Sequence, residues 1–332
     1  MMRAAYITET GPPESIKLGE RPKPEPGPGQ VLVRVAATAF NPLDLYLRGG
    51  MVAMPIPMPY IVGSDLAGTV EAVGPGARRF RPGDRVFGSN QGILGRQGVT
   101  AEYAAVDEDY LYATPSALTD QGAAALALVG ITAHLGLFQF GRLRSGETVY
   151  VPGGTGGVGS MVVQMAKIAG ARVATSAGGP EGVAMASALG ADLALDYKVE
   201  DVPARLRDFA PDGVDVWFET QREPDFEVSI PLLRRRGRMI VTAGRTAKPV
   251  FPLGPFYTQD RSLLGFAMFN ATPDEQRVCG DDIARWAAAG NLKPHIGRVF
   301  PFDEAAAAQR LLEDNTMHRA GTLRGKVVIA IA

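Results

Sequence analysis

The chain has 332 residues, with 34 basic and 35 acidic side chains and a formal charge of −1. That length suits two domains with substantial cores, and the near-neutral, mixed charge leaves no electrostatic footprint for nucleic acid. A single cysteine, Cys279, excludes an intrachain disulfide and a multi-cysteine zinc site.

The first residues, Met1-Met2-Arg3-Ala4-Ala5-Tyr6-Ile7-Thr8-Glu9, turn polar before any apolar signal core forms, which argues against a secretory peptide. With no disulfide either, the cytoplasm is the expected compartment. Residues 21–29, Arg-Pro-Lys-Pro-Glu-Pro-Gly-Pro-Gly, cannot be helical, because each proline lacks an amide donor and biases its predecessor to extended geometry. Short strands are predicted at 30–37, 66–73 and 84–87, the last after a Pro82-Gly83 turn. Their spacing reads as a compact, mostly β domain.

From about Ser116, helical patterns alternate with short apolar runs at 147–151, 172–176, 192–195, 214–218 and 238–242. Strands separated by helices predict an α/β domain with a parallel sheet and crossover helices, one of them at 158–170. The richest apolar stretch, 123–138, is interrupted by Gly130, Thr132, His134 and Gly136. It falls short of the roughly 20 apolar residues of a membrane span, so no membrane association is expected. His134 reads as a core residue of a helix over 131–140, whereas His295 and His318 read as surface residues. The run Arg234-Arg235-Arg236-Gly237-Arg238 reads as a solvated helix end. A helix at 303–313 and a strand at 326–331 return to the opening texture, and the C-terminal stretch is expected to pack on the first domain.

The strongest local signal is Pro152-Gly153-Gly154-Thr155-Gly156-Gly157-Val158-Gly159, between a predicted strand and a predicted helix. Gly154, Gly156 and Gly159 have the spacing G-x-G-x-x-G. Glycines there let the chain turn sharply, bring backbone amides to a pyrophosphate, and pack helix on sheet. The segment Gly154-Thr155-Gly156-Gly157-Val158-Gly159 is thus a candidate dinucleotide site in a Rossmann, doubly wound parallel sheet. At the tip of the next strand, a carboxylate would accept the ribose hydroxyls of NAD, but this chain has Ser176-Ala177-Gly178-Gly179. Ser176 and Gly178 therefore point to NADP. Glu181 counts against that preference, and indifference to the extra phosphate is the alternative. Residues 1–120 contain neither cysteine nor histidine, so no metal site is expected, zinc included.

These residues resemble the zinc-free quinone oxidoreductase, or zeta-crystallin-like, branch of the medium-chain dehydrogenase/reductase superfamily. The resemblance is carried by Asn41-Pro42-Leu43-Asp44-Leu45-Tyr46-Leu47-Arg48-Gly49-Gly50, Gly63-Ser64-Asp65-Leu66-Ala67-Gly68, Val73-Gly74, Pro82-Gly83-Asp84-Arg85-Val86, Ala101-Glu102-Tyr103, the glycine turn, Leu189-Gly190-Ala191 and Gly325-Lys326-Val327-Val328. It implies a GroES-like, mostly β catalytic domain from 1–120 and 270–332, around an NADP-binding domain at 121–269. It also implies a homodimer formed through a strand matching 262–269. Asn41 and Tyr46 match positions beside nicotinamide and substrate, and Asp44 a nearby position often held by an acid. Thr132 and Phe269 match positions along the nicotinamide, Lys326 the pyrophosphate side, and Tyr197 the adenosine ribose phosphate. The lysine that NADPH-selective relatives place after the second strand is absent, the chain reading Gly179-Pro180-Glu181.

Simpler readings stand beside these. Asp44 would cap its helix and Arg48 pair with it at i+4. Asp84 would shape a turn, and Gly63, Gly68 and Gly74 would answer backbone geometry. The implied activity is hydride transfer from NADPH to a small hydrophobic quinone or carbonyl-conjugated alkene, with Asn41 or Tyr46 donating to the developing oxyanion. The alternatives are a reductase narrow for one enone and a non-catalytic NADPH-binding protein.

Overall fold

A computed structural model describes residues 1–331. The chain folds as two compact units, one formed by Met1–Leu128 together with the chain from Thr272 onward, the other by Val129–Ala271. In the first unit, β1 (Met2–Ile7), β2 (Lys17–Arg21), β3 (Gln30–Phe40), α1 (Pro42–Arg48), β4 (Tyr60–Ile61), β5 (Asp65–Val73), β6 (Arg85–Gly88), β7 (Tyr103–Asp107) and β8 (Leu111–Ala113) follow one another. Helix α2 (Asp120–His134) then leads into the second unit.

The second unit alternates strand and helix: β9 (Thr148–Pro152), α3 (Gly157–Ile168), β10 (Arg172–Ala177), α4 (Gly179–Ala188), β11 (Leu193–Asp196), α5 (Val202–Phe209), β12 (Val214–Glu219), α6 (Phe226–Ser229), β13 (Leu233–Val241), α7 (Leu253–Tyr257) and β14 (Ser262–Gly265). Its strand order is β11-β10-β9-β12-β13-β14, with every pairing parallel. The order reverses direction beside β9, so the loop after β9 sits at the switch point where open α/β sheets bind ligands. The central strands β9 and β12 are buried along their whole length, as expected where helices cover both faces of a parallel sheet.

The chain returns to the first unit with α8 (Pro273–Ala288), β15 (Ile296–Pro301), α9 (Ala305–Thr316) and β16 (Lys326–Ala330). There β15-β16-β3-β5-β6-β8 form one sheet, β7 pairs β3, and β2-β1-β4 form a smaller antiparallel sheet. β3 runs past the predicted 30–37 to Phe40 because β16 and β5 flank its far half. Gly68 faces a register shift in β3, where a Cβ would lie 2.2 Å from the Arg34 carbonyl oxygen. Gly63 adopts φ +97°, turning the chain through Ser64 so that Asp65 opens β5.

Several expectations change. The arginine run lies in β13, not at a helix end: Arg234 pairs with Asp215, and Arg235 and Arg236 with Asp260. The helix expected at 303–313 is a short 3-10 turn at Phe302–Glu304 followed by α9. Strand β14 covers only Ser262–Gly265 of the predicted 262–269. His295 is half-buried rather than on the surface, and burial lowers its pKa. The stretch Asp120–Phe140, α2 with a π-helical extension at Leu135–Phe140, is 21 residues long and holds an 18-residue window with a mean hydropathy of 1.7, which meets the length and composition of a span. Its apolar window is 78% buried within the protein.

Candidate active site

Three neighbouring strand ends build a polar cluster inside the first unit. In the β16-β3-β5 register, Val327 pairs with Phe40 and Ala39 with Asp65, so Lys326, Asn41 and Asp65 arrive side by side. Helix α1 starts immediately after Asn41 and adds Asp44. Asn41, Asp44, Ser64, Asp65 and Lys326 are all buried. The Lys326 Nζ donates to the Phe40 carbonyl at 2.8 Å and to Asn41 Oδ1, and lies 3.4 Å from Asp65 Oδ2. Asn41 Nδ2 donates to Asp65 Oδ2 at 2.8 Å and to Ser64 Oγ at 3.1 Å. The other Asp65 oxygen accepts the Leu128 amide at 3.2 Å.

This geometry reassigns the chemistry expected of Asn41. Its amide oxygen is taken by Lys326 and its Nδ2 by Asp65 and Ser64, which uses both N–H donors. Asn41 therefore holds the cluster together instead of offering a donor to a substrate oxyanion. Tyr46, two residues beyond Asp44 on α1, packs half-buried against the same core, and its hydroxyl bonds to nothing among the described residues. Asp44 does brace its helix start, Oδ2 accepting the Asn41 amide at 2.7 Å. Arg48 does not pair with it. The fully buried Arg48 guanidinium donates to Gln309 Oε1 at 2.7 Å, the Gly11 carbonyl at 2.5 Å and Glu313 Oε1 at 2.9 Å. Lys326 is likewise committed to this cluster, where burial lowers its pKa against the raising effect of Asp65 and Asp44.

In the second unit the glycine turn is shaped by atoms that are absent. Gly153 makes the turn with φ +72°, a role sequence spacing had not singled out. A Cβ on Gly154 would lie 2.2 Å from Thr175 Oγ1 of β10, and one on Gly159 2.1 Å from the Gly153 carbonyl oxygen. Gly156 is the N-cap of α3, whose first-turn amides, from Gly157 and Val158, lack intrahelical acceptors by construction. Thr155 is buried in the turn. The turn thus fits a pyrophosphate, held by backbone amides at a helix start.

At the next strand tips, Ser176 is buried and its Oγ accepts the Tyr150 hydroxyl at 2.9 Å, so its side chain faces Tyr150. Gly178 is flanked by Tyr197, 57% exposed, and by Lys198: a Cβ there would lie 2.9 Å from the Tyr197 hydroxyl and 3.2 Å from Lys198 Cε. Asp196 Oδ1 fixes this corner by accepting the Gly179 and Lys198 amides, each at 3.0 Å, and those bonds hold its pKa down. Lys198 thus puts a cation beside Gly178 from the adjacent strand, where the sequence reading had looked only after β10. Thr132 is buried on α2, and Phe269 sits half-buried in a 3-10 turn at Met268–Asn270.

Among the described residues no group of three or more His, Cys, Asp or Glu side chains could hold a metal ion, and the cluster's donor set, with an ammonium at its centre, does not fit zinc. Ser64 and Asp65, which the resemblance sets where zinc-containing relatives place a ligand pair, were given no partners by the sequence reading. An acid directly before the apolar residues Leu66-Ala67 was the available signal, since a charge on a buried strand needs a partner.

Residues 27–116 match the alcohol dehydrogenase GroES-like domain, and residues 157–280 match the zinc-binding dehydrogenase family. Quinone oxidoreductases of Rattus norvegicus and Homo sapiens are 32% and 30% identical, each alignment covering 100% of this chain and 98% of the relative. A solved NAD-dependent alcohol dehydrogenase superposes with a TM-score of 0.90 at 32% identity, and a mycobacterial quinone oxidoreductase with 0.86 at 28%, both over 100% of each chain. The mycobacterial protein has also been solved complexed with NADPH.

Proposed function

The chain belongs to the medium-chain dehydrogenase/reductase superfamily, in its quinone oxidoreductase branch, and on that premise we propose that it is a zinc-independent, NADPH-dependent oxidoreductase acting on a small hydrophobic quinone or a carbonyl-conjugated alkene. The observation that carries this reading is the end-to-end similarity to quinone oxidoreductases. NADPH supplies the hydride when bound. The α3 amides behind Gly156 receive the pyrophosphate, and Gly178, Tyr197 and Lys198 receive the adenosine ribose phosphate, the lysine favouring the phosphorylated cofactor.

Tyr46 provides the donor for the developing oxyanion, since Asn41 is already saturated. An apolar acceptor suits residues 51–59, Met-Val-Ala-Met-Pro-Ile-Pro-Met-Pro, nine apolar side chains of which none is buried. They start one turn beyond Tyr46, whose carbonyl accepts the Met51 amide at 2.8 Å. Unbranched methionines on such an exposed segment can adapt to flat rings. The single buried cysteine suits the cytoplasm, and the exposed edge of β14, paired only with β13, suits a second copy extending the sheet.

Steady-state NADPH oxidation against a panel of quinones and enones tests the reading. Turnover is expected, and Tyr46→Phe should lower kcat by about 10²-fold while nucleotide affinity holds. Nucleotide binding without turnover of any acceptor would favour a non-catalytic protein.

A further inference from the structure

The polar cluster contains one ammonium and two carboxyls, and its geometry divides them unequally. Asp65 receives Lys326, the Asn41 amide group and the Leu128 backbone N–H. Asp44 is hydrogen-bonded to no cation, and the Lys326 charge acts on it only through space. Its Oδ2 accepts the Asn41 backbone amide and the Ser64 hydroxyl, the latter at 3.3 Å, while its Oδ1 is buried with no partner. The other groups facing Asp44 do not alter this balance: Tyr60, from β4, donates its hydroxyl to the Gly92 carbonyl at 3.0 Å, and Arg48, on α1 itself, is bound to Gly11, Gln309 and Glu313. A carboxylate with one bare, desolvated oxygen and no hydrogen-bonded counter-ion is costly, and a proton on that oxygen removes the cost.

We propose that this cluster retains one exchangeable proton, seated on Asp44, and that this is the proton taken up by the reduced acceptor. The storage half stands on the cluster alone; the use half rests on the hydride-transfer reading. Hydride addition delivers two electrons to a quinone and leaves an oxyanion. The Tyr46 hydroxyl gives its proton to the acceptor oxyanion, forming the new O–H bond. The Asp44 O–H bond breaks and its proton passes through intervening water to the Tyr46 oxygen, and the Asp44 carboxylate regains a proton from solvent. Asp44 is a proton store in this scheme and not a group in contact with the acceptor.

The electrostatics agree. Burial, reinforced by the Asp65 charge, outweighs the opposing Asn41 amide, Lys326 charge and Ser64 hydroxyl and pushes Asp44 up to about 7. Because the folded-state value lies above the unfolded one of 3.8, the folded chain binds the extra proton. The stability that Asp44 contributes is full in acid and is lost as pH rises through about 7.

Infrared difference spectroscopy across that pH step tests the store. The wild type should lose a protonated-carboxyl carbonyl band, shifted in heavy water, that Asp44→Asn lacks. Glu219, buried in the other unit between Trp217 and Gln221, is the control, and any band it contributes persists in Asp44→Asn. Lys326→Met removes the ammonium paired with Asp65, so Asp65 should also hold a proton and the band should about double below the step. If Asp44→Asn does not fold, the wild-type and Lys326→Met spectra decide alone. Absence of the band in the wild type, or an unchanged band in Lys326→Met, overturns the store.

For its use, wild-type kcat should fall as pH rises across the step, with the solvent isotope effect tracking it, and Asp44→Asn should be low and flat with KM little changed. An unaltered pH profile in Asp44→Asn overturns the use. A wild type that shows the band yet reduces no quinone or enone overturns the hydride-transfer reading and leaves the store standing.

Discussion

The polar cluster of the first unit and the glycine turn of the second are both made where strands end, but they are specified in opposite ways. In the cluster, function depends on side chains whose donors and acceptors nearly all match: Asn41, Ser64, Asp65 and Lys326 fill one another's valences, and removing any one leaves a buried group stranded. In the turn, function depends on the absence of side chains at Gly154 and Gly159, so that backbone can approach backbone. The first site is sensitive to atoms taken away and the second to atoms added. Charge count governs one, and clearance the other.

The largest effect should come from taking the ammonium out of the cluster. Lys326→Met is expected to cost about 3–5 kcal/mol in urea unfolding at neutral pH, and the double variant Lys326→Met/Asp65→Asn should recover most of it. Additive losses in that cycle would mean that the two groups are not a unit, and the contrast with the turn would fail.

Adding one carbon to the turn comes next. Gly159→Ala is expected to destabilise by about 1–3 kcal/mol, because the opposing atom is the Gly153 carbonyl and cannot swing aside. Nucleotide titration followed by fluorescence should show at least about a tenfold loss of affinity. Alanine tolerated there without loss would break the clearance argument. The smallest effect sharpens the boundary between the sites: Ser176→Ala, which removes the Tyr150 partner, should cost about 1 kcal/mol in thermal unfolding and barely change the ratio of NADPH to NADH affinity. Lys198→Ala should change that ratio instead.

What could be read from the sequence follows the same division. The turn and its parallel sheet were legible because their signals are local: glycine spacing, a strand before, a helix after, and apolar runs at regular intervals. The cluster was not, because Lys326 and Asp65 stand 261 positions apart and meet only through the β16-β3-β5 register. Arg48 shows how a local rule loses to tertiary structure. Asp44 at i+4 was the nearby partner, yet α9 and the Gly11 loop offered three acceptors at a buried site. The arginine run misled for a related reason. Arg234, Arg235 and Arg236 look like a helix end when read alone, whereas in β13 they fan outward beside a register shift and find acids on neighbouring segments.

The helix Asp120–Phe140 also shapes how the protein must be made. Gly136 is so tight against Phe218 that a Cβ would lie 2.3 Å from its ring, and Phe140 stacks on Phe266 with centroids 4.6 Å apart. Both covering aromatics are translated long after the helix they cover. At about 5–20 residues per second, a stretch with the hydropathy of a membrane span waits on the order of ten seconds before its cover exists. During that interval the helix lacks its aromatic cover at Gly136 and Phe140, and contact with chaperones is the expected consequence.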